Sequence, residues 1–408
     1  MKVGFYLSSR FPQIGGTYGC ERNLCDAIVK HAGESRHEFA FMGWSMEGDE
    51  NFTAKSVQWL SMRRNLKERL NSKLEGLGRK VLGRTKNDSS SLESWMTGFL
   101  LDQGLEFMIY PNLMAIPTRD VPYATVVLDV QHRLQPYFPE VSQENAWQTR
   151  EDNYRSGLQR ATWVFVGTQR GREDLLRFYQ VAPERIRLLP HHVPSFALEA
   201  IPGEGAEVVK KYSLPEKYLF YPAQFWPHKN HVTLLNALAW LRDHEKLVCP
   251  VVLTGADKGN ERHVRGLVRE LKLEKQVHFA GFVPLEDLVE FYRKALALVF
   301  LTFFGPDNLP PLEAFALRCP VIASDVPGAR EQLGDGAHLV DPHDFRSVAA
   351  GIQRIHEDAP FRETLIQRGL SRITGLSEEQ TARDLFSALD DFESIRRCWS
   401  SREPYNLQ

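Results

Sequence analysis

Residues that can bind anions and sugar hydroxyls cluster in segment 303–314, directly after an apolar run. Asp307 or Asn308 can cap a helix at this point, prolines suit its first turn, and the free backbone amides there bind anions. Glu313 follows in the first turn, where its carboxylate can accept two neighbouring hydroxyl groups, such as those of a ribose. The alternative is that Glu313 only complements the helix dipole.

Lys229 is a second candidate, because it lies in the turn that follows the apolar segment 218–221. A cation at the carboxyl end of a strand can neutralise the charge that develops on a departing phosphate. The alternative is an ordinary surface lysine. His228 and His231 flank it, but the neighbouring sequence has no carboxylate or cysteine to complete a ligand set, so we predict no metal site.

Two more clusters lie in the first half of the chain. Gly15 and Gly16 follow the first apolar segment, and glycines there let backbone amides approach a diphosphate closely. Asp129 ends another apolar segment and His132 follows it, so these side chains can orient a substrate hydroxyl or move a proton. A tight turn, a capping aspartate and a satisfied loop histidine are the structural alternatives.

The elements that must position these residues are short β-branched and aromatic segments, each followed by a helix-like stretch. This alternation predicts βαβ units around parallel sheets. The segments are 3–7, 39–42, 107–110, 125–128, 163–166 and 186–189, followed by 218–221, 251–253, 277–279, 298–301, 321–323 and 338–340.

Prolines and glycines between residues 194 and 215 indicate a linker between two domains. We therefore predict an α/β protein of two Rossmann-like, doubly wound domains at 1–200 and 201–380. A helical tail at 381–408 closes the second domain or crosses back to the first. Such domains bind ligands at the carboxyl ends of their strands, which makes the cleft between them the expected active site.

The composition excludes several classes of protein. The 408 residues carry 50 Lys and Arg against 52 Asp and Glu, a formal net charge of −2. No global positive field attracts nucleic acid, so we exclude a dedicated DNA or RNA binder. The five cysteines are scattered, without C-x-x-C pairs. They are typical of a reducing compartment, and without a leader or a long apolar run we expect a cytoplasmic protein.

Segment 61–90 departs from this balance, with nine basic residues against three acidic ones and leucines at helical spacing. Such a helix can lie in an anionic lipid interface. This hypothesis places the protein peripherally on the inner face of a membrane. The alternative is a surface helix that packs its leucines on the first domain.

Over nearly its whole length, the chain resembles the family 4 glycosyltransferases, retaining enzymes of the GT-B fold. Segments 309–314 and 319–324 are similar to the family's donor-site signature and the strand behind it. Segments 161–168 and 186–190 resemble the end of its first domain, and 278–283 resembles its nucleobase-contacting strand and loop. The matches follow one another in the family's order.

The resemblance implies that Glu313 holds the ribose of a nucleotide sugar and that Lys229 binds its diphosphate. Gly15 and Gly16 would offer amides to the same diphosphate from the facing domain. Beyond this co-substrate, no cofactor or metal is implied.

For the remaining positions, the resemblance places Phe282 and Val283 beside the base. Asn308 and Leu309 belong to the donor-binding segment, and Asp129 occupies the His-Asp position of the family's first domain.

Three positions depart from the family pattern. Gly305 stands where the family usually has a second glutamate, so we expect Asp307 or backbone amides to take over its role. Gln224 replaces the arginine usually found beside the lysine, and it joins the expected donor-binding residues. Leu128 replaces the histidine of the His-Asp position, and His132 lies close enough to substitute for it.

The resemblance therefore implies transfer of a sugar from a nucleotide-diphosphate sugar to a hydroxyl of a saccharide or lipid-linked acceptor, with retention at the anomeric carbon. The expected setting is polysaccharide, lipopolysaccharide or glycolipid synthesis. Two alternatives stay open. One is a catalytically weak GT-B protein that binds nucleotide sugar as a partner or regulatory subunit. The other is a nicotinamide-dependent oxidoreductase, which the missing G-x-G-x-x-G pattern disfavours.

Overall fold

The computed structural model describes residues 1–7, 16–43, 57–62, 89–113, 118–200 and 206–400. Within this part of the chain the strands form one sheet of seven strands and one of six. The first contains β1 Lys2–Tyr6, β2 Glu38–Gly43, β3 Gln58–Ser61, β4 Phe107–Tyr110, β5 Tyr123–Val127, β6 Trp163–Val166 and β7 Ile186–Leu188. The second contains β8 Leu219–Pro222, β9 Val251–Thr254, β10 Val277–Gly281, β11 Ala297–Phe300, β12 Val321–Ser324 and β13 Ala337–Val340.

Both sheets are parallel and doubly wound. The strand order is β3-β2-β1-β4-β5-β6-β7 in the first and β10-β9-β8-β11-β12-β13 in the second. The order reverses between β1 and β4 and between β8 and β11, and ligands of open α/β sheets bind in the crevice at such switch points. The predicted α/β architecture of two Rossmann-like domains is confirmed.

Helices connect the strands and cover the sheets. In the first half they are α1 Gly16–His31, α2 Ser89–Asp102, α3 Gln131–Leu134, α4 Pro139–Ser142, α5 Ala146–Arg160, α6 Gln169–Tyr179 and α7 Ser195–Leu198. In the second half they are α8 Ala206–Lys211, α9 His231–Trp240, α10 Glu261–Glu270, α11 Leu285–Lys294, α12 Leu309–Ala316, α13 Ala329–Leu333, α14 Phe345–Glu357, α15 Ala359–Ile373 and α16 Glu378–Arg396.

Each apolar segment singled out in the sequence forms a strand, and β3 is the strand that the sequence analysis missed. Its four residues, Gln58–Ser61, pair with β2 at the edge of the sheet, and only Leu60 is buried. A strand with one buried side chain has no apolar run in its sequence. Its position is set by backbone hydrogen bonds to the neighbouring strand, which leave no pattern of residue types.

The chain passes from the first sheet to the second between Leu188 and Leu219. Val193 and Ala197 already pack in the core of the second domain, ahead of residue 200. The connection between the sheets therefore packs against the second domain from Val193 onward.

The last helix, α16, returns to the first domain. Leu385, Leu389 and Phe392 pack with the residues of β1 and α1 in one apolar core. The Trp163 indole, at the start of β6, donates a 2.9 Å hydrogen bond to the carbonyl oxygen of Ala388. This packing closes the first domain with a helix from the end of the chain.

Segment 61–90, for which a membrane-binding helix is one hypothesis, lies outside the described residues except for its ends. Among the helices that the structure describes, none combines the length and the apolar character needed to cross a membrane.

The packing of α16 predicts a large loss of stability on truncation of its apolar face. Leu389 is 1% exposed, so Leu389→Ala should lower the free energy of unfolding of the first domain by about 2–5 kcal/mol. The control is Arg383→Ala, which removes an exposed ion pair to Glu379 and should cost less than about 1 kcal/mol. Urea unfolding followed by tryptophan fluorescence measures both, and equal losses would contradict this role of α16.

Candidate active site

The two domains meet along the segments that follow the carboxyl ends of their strands. The loop after β5 reaches the turn after β11, where the Gln135 side chain donates a 3.0 Å hydrogen bond to the carbonyl oxygen of Phe303. The Phe138 ring stacks on the Phe303 ring at a centroid distance of 6.1 Å. The described structure therefore has the two sheets facing each other across the expected cleft.

Lys229 lies in this cleft, on the single 3₁₀ turn Pro227–Lys229 that follows β8. Its Nζ lies 5.1 Å from the centroid of the Phe300 ring at the end of β11. Burial lowers the pKa of Lys229 to about 8, against the opposing effect of the first-domain carboxylates Asp129 and Glu140. Within the described part of the chain, this ammonium has no hydrogen bond or ion pair. It is a partly desolvated cation at the switch point of the second sheet.

Glu140 connects the first domain to the same turn, and the sequence analysis did not identify it. Its Oε1 accepts a 2.6 Å hydrogen bond from His228 Nδ1 and a 3.3 Å bond from the His228 backbone amide. Burial raises the pKa of Glu140, but the bonds from His228 outweigh burial and hold the pKa below its usual value. Glu140 is therefore an ionised carboxylate beside Lys229.

Asp129 follows β5 and is held by an ion pair with Arg150 of α5. The same oxygen, Oδ1, accepts a 2.8 Å hydrogen bond from the Gln131 amide. Burial raises the pKa of Asp129, but Arg150 and the Gln131 amide outweigh it, and the net pKa is lowered. At neutral pH Asp129 is therefore ionised. An ionised carboxylate accepts hydrogen bonds from hydroxyl groups and has no proton to donate.

The structure places His132 in the interior of the first domain, a position that gives no support to the expectation that it moves a proton or replaces the missing histidine. Its side chain has no exposed surface. Nε2 contacts the Tyr179 hydroxyl at 2.8 Å and a Glu151 oxygen at 3.3 Å. Burial lowers the pKa of His132 to about 4. The structural alternative for this residue is a satisfied loop histidine. His132 instead lies on the short helix α3, and its Nδ1 is buried without a hydrogen-bond partner among the described residues.

Asp307 does reach the interface between the domains. Its Oδ2 lies 3.6 Å from Nε2 of His191, and Cys20 Sγ lies 3.6 Å from the same nitrogen. Burial raises the pKa of Asp307, and His191 opposes that shift. A Cβ added at Gly167 would lie 1.6 Å from Asp307 Oδ2, so only glycine lets the carboxylate approach there. A first-domain glycine therefore makes room for a second-domain carboxylate.

Asn308 and Leu309 form the start of α12. The Asn308 backbone is held by Gln332, which accepts from its amide at 2.9 Å and donates to its carbonyl oxygen at 2.9 Å. The Asn308 side chain donates to the Gly305 carbonyl oxygen at 3.1 Å and does not cap the helix. Leu309 meets the first turn of α1, where a Cβ added at Gly19 would lie 3.5 Å from its Cδ1. The first turns of α1 and α12 thus face each other.

Glu313 lies on α12, buried, and its Oε2 accepts a 2.5 Å hydrogen bond from the Tyr292 hydroxyl. Burial raises the pKa of Glu313 to about 7, against the opposing effect of Tyr292. A dipole-complementing carboxylate would be exposed in the first turn, whereas this one is enclosed. Its second oxygen has no hydrogen bond among the described residues.

The remaining predicted donor-binding residues differ in their exposure. Gly16, the first residue of α1, is exposed, and a Cβ added there meets no described atom within 4 Å. Gln224 follows β8 and accepts a 3.0 Å hydrogen bond from the Trp226 indole. Phe282, after β10, is 48% exposed, so it is free to contact a ring, whereas Val283 packs in the core of the second domain. A contact of Val283 with the base stays a prediction. Gly15 lies outside the described residues.

A cavity of about 500 Å³ lies in the first domain beside these groups. It is lined by Thr17, Asn112, Leu113, Val126, Leu128, Asp129, Glu140, Val141, Glu144, Ala146, Thr149, Arg150 and Tyr154. Because Asp129 and Glu140 face Lys229 as well, the cavity adjoins the cleft.

One group of possible metal ligands occurs in the described part of the chain: His37, Asp390 and Glu393. The Arg36 guanidinium and the amino group of Met1 lie within ion-pair distance of this group. These cations balance the carboxylates, and the cluster ties α16 to β2. It lies outside the set of residues that face the cleft.

Glu140, Arg150 and His191 are residues of the site that the sequence patterns did not indicate. Each of the three lies between two strands and contacts a residue that is distant in sequence. No local spacing of residue types therefore identifies it. The Pro-Glu pair at 139–140 offered the one usable signal, because a carboxylate after an N1 proline marks a helix start near the end of a strand.

The contact between Gly167 and Asp307 predicts a coupled mutational effect. Gly167→Ala should displace the Asp307 carboxylate from His191 and cost about 1–3 kcal/mol of stability. In an Asp307→Ala background the same change should be nearly neutral, since the colliding atoms are gone. Gly16→Ala, whose added Cβ would meet no described atom within 4 Å, is the matched control. Thermal unfolding of the four proteins in the cycle measures the coupling, and additive losses would show that the two residues do not touch.

Comparisons with known proteins agree with this geometry. Residues 207–372 match the family model described as "Glycosyl transferases group 1". The chain is 27% identical over 251 residues to O-antigen chain mannosyltransferase B of Escherichia coli, covering 61% of this chain and 66% of the relative. The matches span between about a third and two thirds of the length of the first curated relatives.

Solved structures match over almost the whole chain. WaaG, a glycosyltransferase involved in lipopolysaccharide biosynthesis, superposes with a TM-score of 0.69 at 17% identity, covering 94% of this chain and 98% of its own. Anabaena Alr3699/HepE in complex with UDP-glucose gives a TM-score of 0.69 at 14% identity, covering 96% and 100%. The chain therefore has the GT-B fold, and its second domain matches the group 1 glycosyl transferases, which supports a glycosyltransferase enzyme.

Proposed function

We propose that the protein is a retaining glycosyltransferase, which transfers a sugar from a nucleotide-diphosphate sugar to an acceptor hydroxyl. The observation that carries the proposal is the position of Lys229. Its ammonium is partly desolvated at the switch point of the second sheet, over the Phe300 ring, and faces the first-domain carboxylates Asp129 and Glu140. A cation in this position is suited to bind a diphosphate.

In the proposed complex, the donor lies between the first turns of α1 and α12. The exposed amide end at Gly16 and the amide of Leu309 would bind the diphosphate. Glu313 would accept the ribose hydroxyls, and Phe282 would contact the base. No metal is needed in this scheme, because an ammonium and helix amides neutralise the charge.

In the proposed reaction, the bond between the anomeric carbon and the diphosphate oxygen breaks, and both bonding electrons leave with the diphosphate. The acceptor oxygen forms the new bond on the same face, and its proton passes to the departing phosphate. Stabilisation of the separating charges by Lys229 is worth more in this transition state than in the ground state, so it accelerates the reaction. Closure of the cleft excludes water that would otherwise hydrolyse the donor.

We further propose a mannosyl donor and a role in surface polysaccharide synthesis. The support comes from the O-antigen mannosyltransferase among the relatives and from the lipopolysaccharide enzyme among the structural neighbours.

A second candidate is a GT-B protein that binds nucleotide sugar but transfers it slowly. It is favoured by Gly305, which carries no carboxylate at the family's first glutamate position, and by the contact of Asp307 with His191. The oxidoreductase alternative has no support from the family match or from the structural neighbours.

A donor screen tests the proposed function. Thermal shifts with UDP-, GDP- and ADP-sugars should identify one stabilising class, and NAD should give none. Glu313→Ala and Lys229→Ala should each weaken that binding at least about tenfold, through loss of a hydrogen-bonded or charged contact. Release of free nucleotide from the same donor separates an enzyme from a binding protein. Unchanged donor affinity in both variants would overturn the site.

The pKa values of Lys229 and Glu313 predict opposite proton exchange on donor binding. A diphosphate favours the protonated lysine, so binding should take up protons above about pH 8. Ribose hydroxyls favour the ionised Glu313, whose pKa of about 7 lies above its usual value, so binding should release protons below about pH 7. Calorimetry of a nucleotide sugar in buffers of different ionisation enthalpy measures both.

Two conservative variants serve as controls for this experiment. Lys229→Arg keeps the charge at all these pH values and should abolish proton uptake. Glu313→Gln should abolish the release. Proton exchange that persists in both variants would mean that other groups titrate with the donor.

A further inference from the structure

We propose that the first-domain cavity binds the acceptor as an uncharged, hydroxyl-rich saccharide, and that Glu140 is an acceptor-binding residue that selects against phosphorylated sugars. The inference rests on the proposed function and adds the chemical class of the acceptor.

The position of the cavity suits an acceptor. Asn112 and Leu113 follow β4, Leu128 and Asp129 follow β5, and Thr17 belongs to the first turn of α1. The lining therefore comes from the carboxyl edge of the first sheet, the edge that faces the donor side. A volume of about 500 Å³ is enough for a few sugar rings or a smaller glycoside.

The charges of the lining disfavour an anionic ligand. Among the described residues of the lining, Asp129, Glu140 and Glu144 supply three carboxylates and Arg150 supplies one guanidinium. Arg150 is already paired with Asp129. A phosphate placed here would meet more carboxylates than cations, because the Arg150 guanidinium is ion-paired with Asp129 and only its buried Nε lacks a partner among the described residues. This net negative charge disfavours an anion in a partly buried site. Sugar hydroxyls, by contrast, donate hydrogen bonds to carboxylates.

Glu140 is the carboxylate of the lining with an oxygen available to such a hydroxyl donor. Its side chain is 6% exposed, so it is shielded from bulk water. Oε1 is held by His228. Oε2 is buried and has no hydrogen-bond partner in the part of the chain that the structure describes. A buried carboxylate oxygen without a hydrogen bond costs about 1–3 kcal/mol or more. A small shift of the Glu140 side chain on binding would let a sugar hydroxyl supply the missing bond.

The same carboxylate connects the acceptor to the donor. His228, which fixes Oε1, directly precedes Lys229, the proposed diphosphate ligand. A hydroxyl bound to Oε2 would therefore be held at a set distance from the leaving group, an arrangement that accelerates transfer by orientation. A purely structural role, in which Glu140 only ties the domains together through His228, is the competing explanation.

Two matched acceptors test the proposal. Methyl α-D-mannopyranoside and α-D-mannose 1-phosphate have the same free hydroxyls and differ in the charge at the anomeric substituent. Binding of each to the full chain, with the donor nucleotide present, is measured by saturation-transfer NMR, and transfer is measured separately. The neutral glycoside should bind at least about tenfold more tightly in the wild-type protein.

Variants separate acceptor binding from domain contact. Glu140→Gln should raise the KM for the neutral glycoside at least about tenfold and should lower donor affinity by a clearly smaller factor. Combining it with Glu144→Gln should narrow the preference over mannose 1-phosphate. Glu184→Gln, at an exposed position on the turn before β7, is the matched control and should change neither quantity.

The following results would overturn the proposal. Equal or tighter binding of mannose 1-phosphate, or no binding of either glycoside, rejects the neutral acceptor. Equal losses of donor and acceptor affinity in Glu140→Gln assign the residue to domain contact. Failure of the proposed function has a different signature: no donor binds and no nucleotide is released, whatever the NMR experiment reports on the glycosides.

Discussion

A partly desolvated ammonium between two parallel sheets sets the electrostatics of the cleft. Lys229 lies on the turn that follows β8, close to the Phe300 ring at the end of β11, and the opposing domain presents carboxylates to it. Burial lowers the pKa of Lys229 because the charged form loses part of its hydration. An anionic ligand would stabilise that charged form. The carboxylates help to keep the lysine protonated, and they belong to the opposing domain. The proposed donor and acceptor sites therefore share one electrostatic unit built from both domains.

That unit depends on how the domains touch. Glu331 of α13 accepts hydrogen bonds from the first amides of α6, at Gln169 and Arg170. A carboxylate from the second domain thus satisfies free amides at a helix start of the first, where the helix dipole favours negative charge. Together with the bond from Glu140 to His228, it holds the cleft in one arrangement. Both contacts involve charged groups, so they respond to pH and salt more than an apolar interface would.

The architecture could be predicted from the sequence because each core strand is a short apolar run whose burial requires a sheet, and α16 has a polar cap at Ser377 that binds the Gln380 amide. The site was harder to predict. Lys229, Asp129 and Asp307 reach the cleft because strand ends place them there, whereas His132 follows a strand just as closely and turns into the core. Local spacing does not distinguish these outcomes, since the side-chain direction is decided by packing partners such as Tyr179 and Glu151.

The loop before α12 shows how a departure from a family pattern can be compensated by the fold. Gly305 removes a carboxylate from that loop, and its φ of 133° is a conformation that favours glycine. Asp307 supplies a carboxylate two residues later, but this one is drawn toward His191 in the first domain, through the space that Gly167 leaves open. Its position is therefore tied to the opposing domain as well as to its own helix. If Asp307 serves the donor, separation of the domains withdraws His191 from it, so the chemistry of the second domain is coupled to closure on the first.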